Sequence, residues 1–172
     1  LELYDVVDGI REHGTFLLNS IWDAEETVKR IPNRVKKILA THKANFYIIN
    51  ATKLARDIGL GNRSNTIMQS AFFKLAEIID FEEAQAFMKK QAYKSYHKKG
   101  EQIVELNYKA IDVGANGLVK VEVDPSWANL SDEVKQVEEK YIGTAFVEKI
   151  AKNQNKEPFR IMDFAVYHDL TA

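Results

Sequence analysis

Two short apolar segments, each followed by helical sequence, constrain the fold of this chain more than any other feature. Residues 15–19 (TFLLN) and 46–50 (FYIIN) have the length and composition of buried strands. A helix signal follows the first segment, and a short helix over residues 52–58, closed by Gly59, is predicted after the second. This alternation predicts a parallel sheet with helices packed on it. Two strands do not complete a sheet, so we expect further strands either upstream of Leu1 or in the C-terminal part.

Helix signals surround the two strands. Residues 3–10 carry apolar side chains at helical spacing, and Gly14 is placed to end that helix. Asp23 and Glu26 have the spacing of a capping box, in which each side chain satisfies a backbone amide of the other. Pro32 interrupts or restarts the helical region that this box opens.

The middle of the chain is predicted to be helical. Apolar residues at helical spacing over residues 67–79 indicate a core-facing helix. A second capping box, residues 80–83, opens the next helix. A third helix is predicted over residues 101–118, loosened by Gly114 and Gly117.

The C-terminal part has a different pattern. Residues 120–123 alternate like a short strand, and residues 124–127 are typical of a turn. A more polar helix is predicted over residues 134–152, then a linker over 153–158 and an extended tail over 159–172.

Composition excludes several classes of function. A chain of 172 residues is long enough for one well-buried core. Its net charge of −1 provides no global field for nucleic acid or an anionic membrane. The absence of cysteine excludes disulfides, thiolate metal sites, cysteine nucleophiles and iron–sulfur ligation within this chain. The four histidines lack ligand spacing, so no metal site is predicted.

The start of the chain has neither the basic region nor the apolar core of a secretory signal, and no apolar run reaches the roughly 20 residues that span a bilayer. It also lacks an initiator methionine. We therefore expect a segment cut from a larger polypeptide, located in the cytoplasm and not in a membrane.

A glycine-rich loop that runs into a helix is the first candidate site. Amides at a helix start point outward unpaired, so the loop containing Gly61 and Arg63 is a possible anion site. Asn65 occupies the expected N-cap position, where it either caps the helix or binds a polar ligand group. The loop is not a dinucleotide fingerprint, because it does not directly follow a strand.

Asn107 is the second candidate. It lies four residues from both Ile103 and Ile111, near the centre of an apolar helix stripe. A buried carboxamide costs free energy unless its donors and acceptor are satisfied. Asn107 therefore either ties down a neighbouring loop or lines a ligand cleft.

Five lysines cluster near one predicted helix end. A solvated helix face is the first interpretation, and attraction of a phosphorylated ligand or an acidic partner is the alternative. Because Tyr93 and Tyr96 lie among the lysines, salt-sensitive binding of single-stranded nucleic acid is a third interpretation. The nearly neutral net charge of the chain argues against it. The cluster comprises Lys89, Lys90, Lys94, Lys98 and Lys99.

Several ordered blocks together resemble the gamma-type internal domain, domain III, of pyruvate:ferredoxin (or flavodoxin) oxidoreductase. The blocks are residues 15–19, 46–53, 59–75, 96–100 and 107–112. The resemblance implies an α/β fold: an incomplete Rossmann-like layered domain with a mostly parallel sheet flanked by helices and a helix-rich middle. It assigns residues 1–130 to this domain and residues 131–172 to a helix and extended linker toward the next.

The resemblance also implies a function. The family converts pyruvate and coenzyme A to acetyl-coenzyme A and carbon dioxide, with electrons passing to ferredoxin or flavodoxin. It implies that thiamine diphosphate, Mg²⁺ and [4Fe-4S] clusters are held by other domains of the same polypeptide, with none in this chain. Asn65 and Asn107 match positions that contact coenzyme A, and no catalytic residue is implied here. The full-length enzyme would be a homodimer, and this chain alone inactive.

Two departures from the family pattern matter. A phosphate-contacting glycine segment and a coenzyme-contacting lysine lie upstream of Leu1. His97 stands where the family usually has glycine, which argues against a catalytic base there. The alternative function is a structural interdomain or dimer-contact module, in which both asparagines only hold loops.

Overall fold

In the computed structural model, residues 7–131 are described together with the backbone of residues 164–168, and these residues form one four-stranded sheet with helices around it. The strands are β1 Thr15–Asn19, β2 Asn45–Ile49, β3 Val119–Val121 and β4 Phe164–His168. The described α-helices are α1 Ala24–Arg30, α2 Asn33–Thr41, α3 Ala51–Asp57, α4 Asn65–Ala76, α5 Phe81–Tyr96 and α6 Glu101–Asn116, with 3-10 helices at His97–Lys99 and Pro125–Asn129.

The strand order is β3-β2-β1-β4. β1 pairs in parallel with both neighbours, so that Thr15 lies opposite Asn45 on one side and Phe164 on the other. β3 runs antiparallel along β2, with Val121 opposite Phe46. The predicted mostly parallel sheet is confirmed, and its additional strands come from the C-terminal part of the chain.

Helices cover both faces of the sheet, as the α/β prediction requires. Successive strand residues point to opposite faces. Phe16 and Phe46 therefore share one face, where they pack with residues of α1 and α2, while Leu17 and Ile49 pack on the other with α3, α4 and α6. The rings of Phe16 and Phe46 stack, with centroids 5.5 Å apart.

The aspartate side chains of both predicted capping boxes cap their helices, but the return hydrogen bond from the glutamate side chain does not form. Asp23 Oδ1 accepts a hydrogen bond from the Glu26 amide at 2.8 Å. The Glu26 carboxylate does not return the bond, since it accepts from Arg30 Nε at 2.7 Å. Asp80 caps α5 in the same way. Pro32 separates α1 from α2, as predicted.

The predicted N-terminal helix is wrong for its described residues. Residues 7–9 form a turn and Ile10 is not helical. The reason is Gly9, whose φ of +77° is incompatible with a right-handed helix. Residues 1–6 of this prediction lie outside the described residues.

After β3, residues 124–127, which were predicted to form a turn, are instead the start of the 3-10 helix Pro125–Asn129. Hydrogen bonds from Ser126 to the Asp124 side chain cap it and hold the pKa of Asp124 below its usual value. The helix predicted over residues 134–152 and the linker over 153–158 lie outside the described residues. Within the predicted extended tail, residues 164–168 form β4, and the domain division at residue 130 stays a prediction.

α2 ends on a left-handed residue that is not glycine. Lys43 has φ +48°, and the Ala44 amide donates to the Leu39 carbonyl at 2.9 Å, which is the Schellman arrangement.

We expect Lys43→Gly to raise the free energy of unfolding by roughly 0.5 kcal/mol, because glycine relieves left-handed strain but has more unfolded-state entropy. Urea unfolding measures this. Lys90→Gly, in the exposed interior of α5, should instead lose about 1 kcal/mol; a loss of similar size in Lys43→Gly would contradict the interpretation.

Candidate functional site

The site rests on a close crossing of α4 and α6. A Cβ atom added at Gly114 would lie 2.4 Å from the Ile67 carbonyl oxygen, so the two backbones approach nearer than any larger residue allows. The buried Ser70 hydroxyl donates to the Ile111 carbonyl at 2.5 Å across the same contact. This crossing places the N-terminal turn of α4 beside the middle of α6.

Asn107 lies on α6 at this crossing and is 5% exposed. Its Nδ2 donates to the Ile103 carbonyl at 2.8 Å, one turn back in the same helix. Its Oδ1 accepts from the Thr66 hydroxyl at 3.5 Å, which is long for a hydrogen bond between oxygens. The predicted burial of Asn107 among apolar residues is confirmed. The side chain of Asn107 thus binds the Ile103 carbonyl and the Thr66 hydroxyl. Its Oδ1 atom retains most of its capacity to accept hydrogen bonds.

Asn107 lines a cleft of about 420 Å³ bounded by α4, α5 and α6. One part of the lining is apolar, with Phe73, Ile79 and Phe87. Polar side chains occupy the part near Asn107 and the C-terminal half of α5. They are Thr66, Gln69, Gln91, Ser95 and Tyr96. A cleft with an apolar wall and a few converging polar groups is the usual form of a small-molecule site.

The prediction that Asn65 is the N-cap of α4 is wrong. Ser64 occupies that position, because its carbonyl accepts the first helical bond, from the Met68 amide at 2.9 Å. Asn65 is the first helical residue and is exposed, and its side chain forms no hydrogen bond within residues 7–131. The cleft lining includes its neighbour Thr66 but not Asn65 itself. Asn65 thus adjoins the cleft from outside.

The glycine loop before α4 has a structural explanation of its own. Gly59 has φ +88° and closes α3, with the Leu60 amide donating to the Ala55 carbonyl at 2.8 Å and the Leu60 side chain buried. Gly61 is also left-handed, at φ +63°. Arg63 is exposed, and its Nε donates to the Leu60 carbonyl at 3.2 Å. Anion binding by the loop that contains Gly61 and Arg63 stays a prediction.

No group of three or more His, Asp or Glu side chains is arranged to hold a metal ion within residues 7–131. None of the described helices is both long and apolar enough to cross a membrane.

The lysine cluster divides into paired and unpaired members. Lys89 Nζ lies 2.8 Å from Asp112 Oδ1 and so belongs to the contact between α5 and α6. Lys99 Nζ lies 5.6 Å from the centroid of the Tyr96 ring, which lines the cleft. Lys94 and Lys98 are exposed and form no ion pair within the described part of the chain.

Comparison with known families identifies the chain. The sequence profile of the family described as pyruvate ferredoxin/flavodoxin oxidoreductase matches residues 1–117. The chain belongs to this family. The resemblance inferred from the sequence blocks is therefore confirmed.

Relatives within the pyruvate ferredoxin/flavodoxin oxidoreductase family are much longer proteins. The pyruvate:ferredoxin oxidoreductase of Moorella thermoacetica is 45% identical over 130 residues, which are 76% of this chain and 11% of that protein. The pyruvate-flavodoxin oxidoreductase of Klebsiella pneumoniae is 42% identical over 136 residues, which are 79% of this chain and 12% of that protein. This oxidoreductase-family chain thus spans only a small part of the curated relatives it matches.

A solved structure supports the fold of this oxidoreductase-family chain. The pyruvate oxidoreductase subunit PORC of Thermotoga maritima has a TM-score of 0.52 and 20% sequence identity, covering 67% of this chain and 57% of that subunit. The likeness is one of fold, and it agrees with a partial Rossmann-like α/β domain.

Sequence reasoning missed most of the polar lining of this family member's cleft. Gln91 and Ser95 follow the buried Met88 at spacings of three and seven, so they share its side of α5. That spacing was the available signal. Thr66 carried no such signal, because its contact with Asn107 depends on how α4 and α6 cross.

Proposed function

We propose that the chain acts within a pyruvate:ferredoxin or pyruvate:flavodoxin oxidoreductase and contributes Asn65 and Asn107 to its coenzyme A site. Family membership supports the reaction class, since the named relatives are pyruvate:ferredoxin and pyruvate-flavodoxin oxidoreductases. The observation that carries the site is the Asn107 carboxamide, buried in the wall of a cleft with its oxygen weakly engaged.

The hydrogen bonds of Asn107 define what a ligand group must offer. One of its two amide hydrogens is bound to the Ile103 carbonyl, which leaves the second hydrogen and most of the accepting capacity of the oxygen for a ligand. A ligand that replaces the long Thr66 contact must therefore donate a hydrogen bond. Coenzyme A carries two amide N–H groups in its pantetheine arm as well as hydroxyl groups, and any of these donors fits.

The contribution proposed for this chain is positioning. In the reaction, pyruvate loses carbon dioxide, its acetyl group passes to the coenzyme A thiol, and two electrons leave to ferredoxin or flavodoxin. Thiamine diphosphate supplies the carbanion chemistry in such an enzyme. This chain, which has no cysteine, holds the coenzyme so that its thiol reaches the reacting carbon. The cysteine ligands of the clusters are then contributed by other parts of the enzyme, and we propose the same for the Mg²⁺ site.

Asn107→Ala in the complete oxidoreductase should raise the KM for coenzyme A about 10- to 100-fold, because a buried ligand donor loses its partner. The KM for pyruvate should stay unchanged. Steady-state kinetics with each substrate varied measures both. Asn116→Ala is the matched control, since Asn116 is an exposed asparagine at the end of the same helix.

If Asn65→Ala and Asn107→Ala both leave the coenzyme A dependence of turnover unchanged, the site assignment is wrong. The chain alone should bind coenzyme A weakly or not at all, because it matches only 11% and 12% of the length of the two named relatives and so holds only part of the proposed site. Tight calorimetric binding to the chain alone would contradict this.

An alternative role as a contact module between domains or subunits is favoured by one observation. Phe87 is 53% exposed and Ile79 is 39% exposed, and both lie at the apolar end of the cleft. Large exposed apolar residues grouped in this way mark interfaces. A structure of the complete enzyme with coenzyme A distinguishes the two roles, since only the first places ligand atoms at Asn107.

A further inference from the structure

Two hydroxyl groups of α4 contact α6, and they differ in how tightly they are held. The Ser70 hydroxyl is fully buried and donates to the Ile111 carbonyl at 2.5 Å. The Thr66 hydroxyl lies one turn earlier in α4, on a half-buried residue, and its contact with Asn107 Oδ1 is 3.5 Å long. The short bond joins the two helices, and the long contact adds little to their association.

Thr66 also differs from Ser70 in facing the cleft. Thr66 and Asn107 both line it, whereas Ser70 does not. The Thr66 donor and the Asn107 acceptor satisfy each other, but only weakly. A ligand can therefore separate the pair at little cost, provided that it replaces what each group loses.

The two groups make complementary demands on such a ligand. Asn107 Oδ1 only accepts hydrogen bonds, so its new partner must donate one. The hydrogen that Thr66 Oγ1 donates to Asn107 must find a new acceptor. A hydroxyl group meets both demands with one oxygen atom, because it donates and accepts at the same time. The nitrogen of an amide meets only the first.

We infer that Thr66 is a second ligand-binding residue of the cleft and that, together with Asn107, it selects a hydroxyl group of the ligand. This rests on the proposed function and adds to it the part of coenzyme A that lies at this position. The pantetheine arm of coenzyme A carries a single hydroxyl group, between an amide carbonyl and a carbon that bears two methyl groups. The apolar part of the lining suits these methyl groups, since it consists of Phe73, Ile79 and Phe87.

The test uses the complete oxidoreductase with Thr66→Val, which replaces the hydroxyl by a methyl group of similar size. We expect the KM for coenzyme A to rise about three- to tenfold, because a ligand acceptor loses its donor, and the KM for pyruvate to stay unchanged. Thr66→Ser keeps the hydroxyl and should stay within about twofold of the parent enzyme.

Thr52→Val is the matched control. Thr52 is likewise the second residue of its helix, α3, and is half-buried, but it does not line the cleft. Its replacement should leave both KM values unchanged.

A coenzyme A analogue that lacks the hydroxyl group of the pantetheine arm distinguishes direct contact from a structural effect. The parent enzyme should have a higher KM for this analogue than for coenzyme A. Thr66→Val should then raise the KM for the analogue by less than about twofold, because the group that Thr66 contacts is already gone.

An unchanged KM for coenzyme A in Thr66→Val would overturn the inference. So would a lowered KM, which indicates that Thr66 only competes with the ligand for Asn107. An equal rise with coenzyme A and with the analogue would also overturn it, since the hydroxyl group would then not be what Thr66 recognises.

Asn107→Ala separates this inference from the proposed function. If Asn107→Ala raises the KM for coenzyme A and Thr66→Val does not, only the role of Thr66 fails. If Asn107→Ala leaves that KM unchanged, the proposed contribution of Asn107 to the coenzyme A site fails.

Discussion

Gly114→Ala should lower the free energy of unfolding by about 2–4 kcal/mol, although alanine is the better helix former by about 1 kcal/mol. The added methyl carbon would lie 2.4 Å from the Ile67 carbonyl oxygen and 2.9 Å from Ser70 Cβ. The first of these atoms is backbone, so no side-chain rotation relieves the contact. α4 and α6 must separate instead, which breaks the bond from Ser70 to the Ile111 carbonyl.

Urea unfolding followed by far-ultraviolet circular dichroism measures this loss. Gly61→Ala makes the same chemical change where nothing lies within 4 Å and only the φ of +63° is unfavourable. It should cost about 1 kcal/mol. Equal stability of the two variants would show that the crossing is looser than described. In the complete enzyme, Gly114→Ala should also weaken coenzyme A, because the crossing sets the positions of Thr66 and Asn107.

Phe46→Ala should destabilise the chain by about 3–5 kcal/mol, the usual cost of removing a fully buried aromatic ring. Phe46 is 0% exposed and stacks on Phe16 of the neighbouring strand. It also lies opposite Val121 in the antiparallel pair with β3. The cavity left by its ring would therefore lie where three strands and the α1–α2 layer meet.

Phe87→Ala is the matched control for this prediction. Its ring is 53% exposed, so its removal should cost less than about 1 kcal/mol in the chain alone. Thermal unfolding of both variants tests the contrast. A Phe46→Ala variant that unfolds at the same temperature as Phe87→Ala would show that the ring contributes little to the core.

The local parts of this fold were readable from the sequence because the causes are local. Apolar runs bounded by turns located β1 and β2, and the spacing of Asn107 from Ile103 and Ile111 predicted its burial. Ser64 and Asn65 are both good capping residues, so the sequence alone misplaced the cap of α4 by one position.

Other features depend on contacts between residues that are far apart in the sequence. Gly114 looked like a helix weakener, and only the position of Ile67 shows that it permits a close crossing. Phe87 has the spacing of a core residue, yet it remains half exposed because it lines the cleft bounded by α4, α5 and α6. The pairing of β1 with β4 had no local signal, since the two strands are far apart in sequence.

That pairing has a consequence for how the chain is made. β1 is synthesised well before one of its two parallel neighbours, β4, which ends only at His168. Ribosomes add roughly 5–20 residues per second, so one side of β1 waits many seconds for its partner. During that interval the nascent chain presents an unpaired strand to other proteins, and a chaperone that shields it should increase the yield of folded product.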